Sequence, residues 1–267
     1  MSSELVRPWC DCLKPQYGNR RRGNLKLHEE VQDEECEAWV LLQWLIEQAR
    51  LDGRKRFAPR QEMSAQQWTQ IVTLPPSIGT LKEVEELHLY SSHLVRLPPE
   101  IGGMTNLKEF TPYTSYRLHW FPYEITRCKK LVESTVSTRA LYGNYKYWPP
   151  FPRLPADPVP GEDSGMVEAE AGKIMRCSVC DREFSAANLH QVWITLRVAT
   201  DWMPLLVNAC SKECVGNLPP PAVGYVDHPH KGGLDLVQPQ NEDGMWEDVL
   251  NRKKEKGFIS RWFLGGK

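Results

Sequence analysis

One six-residue pattern recurs at a fixed interval, and it limits what this chain can fold into. Leu74-Pro75-Pro76-Ser77-Ile78-Gly79 returns 23 residues later as Leu97-Pro98-Pro99-Glu100-Ile101-Gly102. A weaker copy follows one residue late, Phe121-Pro122-Tyr123-Glu124-Ile125-Thr126. A period in the low twenties means one small structural unit per repeat. Such a unit cannot bury its own apolar edge, so neighbouring units must stack and share a core. The predicted inward residues are Val84, Leu87, Leu89 and Leu94, then Leu107, Phe110, Pro112 and Leu118, then Leu131, Ser134, Val136 and Leu141. Ser134 and Pro112 break this apolar set, and Pro112 cannot donate to a strand ladder.

Over residues 70–155 the stretch resembles the leucine-rich repeat family, through its LPxxIGxLxxLxxLxL pattern. The resemblance implies a fold and a habit of binding partners on a strand face, not a reaction. The Asn that the family points inward is replaced here by Ser92, Ser115 and Arg139. A short, degenerate stack of this kind needs a cap at each end. The expected fold class is therefore α/β: a short leucine-rich-repeat solenoid with a helical N-terminal cap, then a small zinc-stabilised α+β module. The composite also resembles small bacterial repeat proteins, which suggests an adaptor, inhibitor or immunity role by analogy alone.

Aligning the repeats predicts three outward columns. Glu86, Glu109 and Glu133 form the first, His88, Thr111 and Thr135 the second, and Tyr90, Tyr113 and Ser137 the third. Stacked strands lie about 4.8 Å apart, so three carboxylates in register repel one another. A basic partner would relieve that repulsion. Tyrosine is favoured at interfaces, which adds to the case for a partner with a basic or aromatic-accepting surface. A Glu is also common at this place in such repeats, and exposed charges are well screened.

Two helices are predicted before the repeats. Ala38, Leu41, Leu42, Leu45 and Ala49 fall at helical spacing over 34–52, with Trp39, Trp44 and Ile46 widening the apolar face. Gly53 suits the stop. The second spans 64–72, with Ser64 as N-cap and Trp68, Ile71 and Val72 turned inward. After Leu141 the repeat fails, and YGNYKYWPPFPRLP is expected to wrap the last repeat as its cap.

The cysteines carry the second strong signal. Cys177 and Cys180 form a C-x2-C pair, and Cys210 and Cys214 a C-x3-C pair after a 29-residue gap. Four thiolates in two close pairs complete a tetrahedral Zn2+ shell, and a closed shell is structural rather than catalytic. The gap reads as a hairpin, with Val192, Ile194, Leu196 and Val198 alternating and Pro204–Ala209 returning. The arrangement resembles a treble-clef or zinc-ribbon module. Four buried thiols or a redox dithiol are the alternatives, and His190, His228 and His230 stand as possible substitute ligands. Cys10 and Cys12 make one further C-x-C pair, too few donors to close a site alone.

The remaining features exclude more than they assign. With 33 basic and 34 acidic residues in 267, the net charge of −1 gives no global pull toward nucleic acid or membrane. Arg20, Arg21 and Arg22 in a basic arm over 1–30 leave a nucleic-acid-associated regulator as the alternative function. No apolar run is long enough to span a membrane, and no signal-peptide core is visible. A cytoplasmic location is expected, with the eight cysteines as thiols or ligands. No phosphate-binding Gly loop or nucleophile–base motif appears, so an enzyme is not expected. The boundaries read as arm 1–30, helical cap 31–72, repeats and cap 73–155, linker 156–172, zinc module 173–226, and loop with tail 227–267. The tail ends on the apolar octet 257–264, which either packs on the body or meets a partner, without stable membrane insertion.

Overall fold

The computed structural model describes residues 26–146, 148–158 and 174–239. Arg20–Arg22, Cys10 and Cys12, most of the 156–172 linker and the C-terminal octet lie outside the described residues. Within them the chain is mixed α/β, with parallel and antiparallel sheets and few helices.

Helix α1 spans Glu37–Asp52 and buries Ala38, Trp39, Leu42, Leu45, Ile46 and Ala49. Gly53 ends it in the left-handed region at φ 65°, a conformation that glycine adopts without steric cost. Trp44 is 56% exposed and does not widen the buried face as expected. It lies on the side of the helix opposite Leu42 and Ile46, facing away from the core. Helix α2 is shorter than predicted, Ala65–Thr69. Ser64 accepts from the Gln67 backbone N–H and the Gln67 side chain reaches back to the Ser64 N–H, a reciprocal cap. Trp68 and Ile71 are buried, while Val72 is half-buried and beyond the helix.

The repeats form a four-stranded parallel sheet. Its strands are β1 (Arg56–Phe57), β2 (Glu86–His88), β3 (Glu109–Thr111) and β5 (Glu133–Ser134). Glu86 pairs with Glu109 and Glu109 with Glu133, the register that the repeat spacing predicts. β1 is an extra edge strand with no repeat motif of its own. Each motif forms a short 3-10 turn, at Pro76–Thr80, Pro99–Gly103 and Tyr123–Arg127. Their prolines stand where no backbone N–H is needed. All twelve predicted inward residues are buried.

The turns stack so closely that backbone meets backbone. A Cβ on Gly79 would lie 2.5 Å from the Glu100 carbonyl oxygen, and one on Gly102 would lie 2.5 Å from that of Glu124. Only glycine fits at either place. The third turn carries Thr126 there, and among the described residues no fourth turn stacks on it.

Ser92 and Ser115 do occupy the inward Asn positions. Their hydroxyls are 2.6 Å apart, and Ser115 Oγ donates to the Leu89 carbonyl at 3.1 Å. Arg139 does not join them. It is exposed, and Ser137, expected in an outward column, is buried instead. The turn Thr138–Ala140 follows soon after β5, and the third repeat leaves the pattern of the first two there.

The far end of the stack is closed by a hairpin from beyond the linker. Strands β8 (His190–Val198) and β9 (Asp201–Ala209) pair antiparallel, and β9 pairs in parallel with β4 (Phe121–Pro122). Val192, Ile194, Leu196 and Val198 face the same core as the repeats, together with Met203, Leu205 and Val207. The opposite face of the hairpin, Trp193 and Leu206, meets Tyr142, Phe151 and Leu154. The aromatic segment after Leu141 therefore covers the outside of the hairpin rather than the last repeat. A two-stranded sheet offers the last turn main-chain partners over its length, which a Pro-rich segment cannot. Ser134 explains its own oddity. Its hydroxyl donates to Asp201 Oδ2 at 2.8 Å, and its carbonyl accepts from Thr200 Oγ1 at 2.7 Å. The polar residue at a core position is the hook for the hairpin's turn.

Residues 26–30 are docked rather than arm-like. His28 stacks on His119 with centroids 5.4 Å apart, and Glu30 pairs with Arg117.

Replacing Gly102 by Ala is expected to lower the unfolding free energy by about 1–3 kcal/mol, the cost of overpacking a tight contact. Gly216 has open space around its Cα, so Gly216→Ala should change it by less than about 1 kcal/mol. Urea denaturation of both variants checks this.

Candidate metal centre and sheet face

The four predicted cysteines converge. Strands β6 (Ile174–Arg176) and β7 (Glu183–Ser185) form a small hairpin whose turn carries Cys177 and Cys180. Asp181, at φ 61°, lets that turn close, with the Cys177 N–H donating to the Arg182 carbonyl at 2.9 Å. Cys210 follows β9, and Cys214 lies in helix α3 (Lys212–Gly216), where Ser211 Oγ accepts from the Cys214 N–H. The four sulfurs lie within 4.8 Å of one another. Cys180 Sγ is 3.7 Å from Cys210 Sγ, and Cys210 Sγ is 3.6 Å from Cys214 Sγ.

Those separations test the fit. Metal–sulfur bonds of about 2.3 Å in a tetrahedron put sulfurs about 3.8 Å apart. A disulfide would need about 2.05 Å. The cluster therefore has the spacing of a four-thiolate metal shell. Its surroundings also suit anionic sulfur. Cys177 Sγ accepts from the N–H groups of Cys180 and Cys210 at 3.5 and 3.4 Å. Arg182 Nε donates to Cys180 Sγ at 3.4 Å and holds that thiol well down, to about 6. Loss of hydration, then the neighbouring sulfurs, push Cys210 up to about 12. Four thiols so placed cannot all ionise together without a cation among them.

None of the three histidines joins the cluster. His230 is buried, bridges by its backbone to Trp193, and packs its ring 4.6 Å from Phe151. Burial brings its pKa down to about 4, so it stays neutral. His190 lies 3.3 Å from Asp157, and His228 is 2.7 Å from Asp227.

Sequence reasoning missed what holds the cluster to the repeats. Arg127, in the third turn, donates to the carbonyls of Cys177 and Ser178 at 3.1 and 3.0 Å and pairs with Asp181 at 2.9 Å. Ser178 Oγ donates to the buried Glu124 at 2.7 Å and accepts from the Asn208 N–H at 2.9 Å. No local signal marked Glu124, because it stands where the second motif carries Glu100, which is exposed. Burial raises the pKa of Glu124 above the usual carboxylate range.

The second predicted site lies on the outer face of the parallel sheet. Glu86 and Glu109 are partly exposed and Glu133 exposed. His88 and Thr111 pair in register beside them, with Thr135 exposed beyond. Tyr90 and Tyr113 are 42% and 46% exposed, their rings 6.1 Å apart. The carboxylates are not as isolated as their column suggests. His88 Nε2 stands 3.4 Å from Glu86 Oε2 and 3.5 Å from Glu109 Oε1. Arg56 Nε stands 3.8 Å from Glu86, from the strand that no motif announced.

No protein-family model matches the sequence, and a search of curated proteins finds no match. Among the described residues no helix is long and apolar enough to cross a membrane.

Glu124 generates a pH prediction. Its folded pKa exceeds the unfolded one, so the fold is favoured while the group is protonated. That contribution is full below about pH 4.3 and is lost as pH rises through the folded pKa. Glu124→Gln stays neutral and should gain stability relative to the parent between pH 4.5 and pH 8. Urea midpoints of both proteins at each pH check the sign.

Proposed function

We propose that this chain is a non-enzymatic protein-interaction protein, an adaptor, inhibitor or immunity-type protein working in the cytoplasm. Its repeats are a short leucine-rich-repeat solenoid with a helical N-terminal cap. The far end carries a zinc-stabilised module whose Zn2+ is held by Cys177, Cys180, Cys210 and Cys214. The outer sheet face takes the partner, another protein with basic side chains.

The observation that carries this reading is the column Glu86, Glu109 and Glu133 in register, flanked by the exposed pair Tyr90 and Tyr113. A flat face with aligned carboxylates and two rigid aromatics suits lysine or arginine side chains, which pair with the acids and pack on the rings. The same charge sign opposes a phosphate backbone. A reducing compartment suits thiolate ligands, and the six described cysteines are free. The metal's contribution is structural: a closed thiolate shell leaves no position for a reacting water. Its value lies in clamping the knuckle that Arg127 and Ser178 tie to the third turn.

Affinity capture with the parent and with a Glu86→Lys, Glu109→Lys, Glu133→Lys variant that still folds by circular dichroism tests the partner face. A protein held by the parent and lost from the variant supports it. Equal retention moves the interface elsewhere. Chelation tests the zinc assignment. Replacing Cys177 by Ser should cost one equivalent of Zn2+, and that change or removal of the metal should lower the thermal midpoint by several degrees. An unchanged midpoint would refute a structural zinc.

A further inference from the structure

The outer sheet face brings together a second set of side chains of metal-ligating type. Glu86 and His88 lie two residues apart on β2, so both point to the same face. Glu109 lies directly opposite Glu86 on β3. One oxygen of each carboxylate and the His88 Nε2 atom come within 4.8 Å of one another. The Nε2 atom is 3.4 Å from Glu86 Oε2 and 3.5 Å from Glu109 Oε1. Yet Nε2 is shut off from solvent and, among the described residues, makes no hydrogen bond. The two carboxylates are within reach but at the wrong angle. A buried polar atom that makes no hydrogen bond is rare and calls for a ligand.

Metal–nitrogen and metal–oxygen bonds of about 2.0–2.1 Å in a tetrahedron set donors about 3.3–3.4 Å apart. The two separations from Nε2, 3.4 and 3.5 Å, lie close to that. We propose that Glu86, His88 and Glu109 form an open three-ligand site for a divalent transition cation such as Zn2+, distinct from the four-cysteine cluster. A cation between the three donors would give Nε2 the bonding partner that neither carboxylate supplies. Thr111 Oγ1 donates to Glu109 Oε1 at 3.1 Å and orients that ligand from behind. Arg56 Nε, at 3.8 Å from Glu86 Oε2, is too far for a hydrogen bond and leaves the oxygen free. Three protein ligands leave a further position open on the exposed face, unlike the closed thiolate shell. The inference does not rest on the protein-binding reading of the same face.

The test counts metal. The full chain is purified with excess Zn2+, dialysed, and titrated with Zn2+ by calorimetry, with total zinc measured by mass spectrometry. The expected result is two equivalents for the parent and one for His88→Asn and for Glu109→Gln, each still folded by circular dichroism. Co2+ separates the two sites, because only thiolate ligation gives an intense sulfur-to-cobalt charge-transfer band. Co2+ at the face should add weaker d–d absorption alone, and His88→Asn should remove it. If Cys180→Ser abolishes the charge-transfer band while the face still binds one equivalent, the two sites are independent. A parent that binds nothing beyond the thiolate site overturns the inference. So does a second equivalent that survives undiminished in both His88→Asn and Glu109→Gln.

Discussion

The fold depends on how closely one backbone turn can sit on the next. At Gly79 and Gly102 the neighbouring turn's carbonyl occupies the space a Cβ would need. That contact sets the spacing of the stack, and the spacing sets the register of the strands across the core. Leu87 then lies over Phe110, and Glu86 over Glu109. The same contact decides where stacking stops. Thr126 bears a Cβ at the equivalent place, and the turn it belongs to receives the cysteine knuckle instead of a fourth repeat.

Ending a stack leaves apolar edges and unpaired main chain, and both must be covered. Hairpin β8–β9 does so at three points along the last turn. Its own turn hooks to Ser134, the middle of β9 pairs with β4, and the knuckle next to it is gripped by Arg127 and Glu124. The first grip puts a polar residue, Ser134, where the two earlier repeats have Leu87 and Phe110, and the third uses charged side chains of the last turn. Buried polar groups cost free energy unless satisfied, and here Ser134, Arg127 and Glu124 Oε1 find partners on the hairpin or the knuckle. They define which surface closes the end, where apolar contact alone would accept many. A metal in the four-sulfur cluster would hold the knuckle in the shape these grips require.

The exposed face follows from the same register. Once the turns stack, like residues align whether or not their charges agree. Glu86, Glu109 and Glu133 are brought together by geometry rather than by attraction. His88 and Arg56 temper the column at one end, while Glu133 stands apart at the other.

Much of this was legible in the chain itself. The 23-residue spacing predicted the repeats, their inward residues and the paired register, because stacking identical units admits one alignment. The cysteine spacing predicted the cluster, because close pairs chelate from single turns. The N-cap at Ser64 and the stop at Gly53 are local devices and were read locally. What only the tertiary structure decided depends on contacts between distant segments. No pattern near Ser134 or Glu124 names Asp201 or Ser178 as its partner. The edge strand β1 has two residues and no motif. Residues 142–155 look like a cap for the repeats, yet a hairpin some 50 residues later in the chain takes that place. His88 reaches both carboxylates only after β2 and β3 are paired. Periodicity determines what a chain repeats, whereas the closure of its ends rests on long-range pairing that periodicity does not encode.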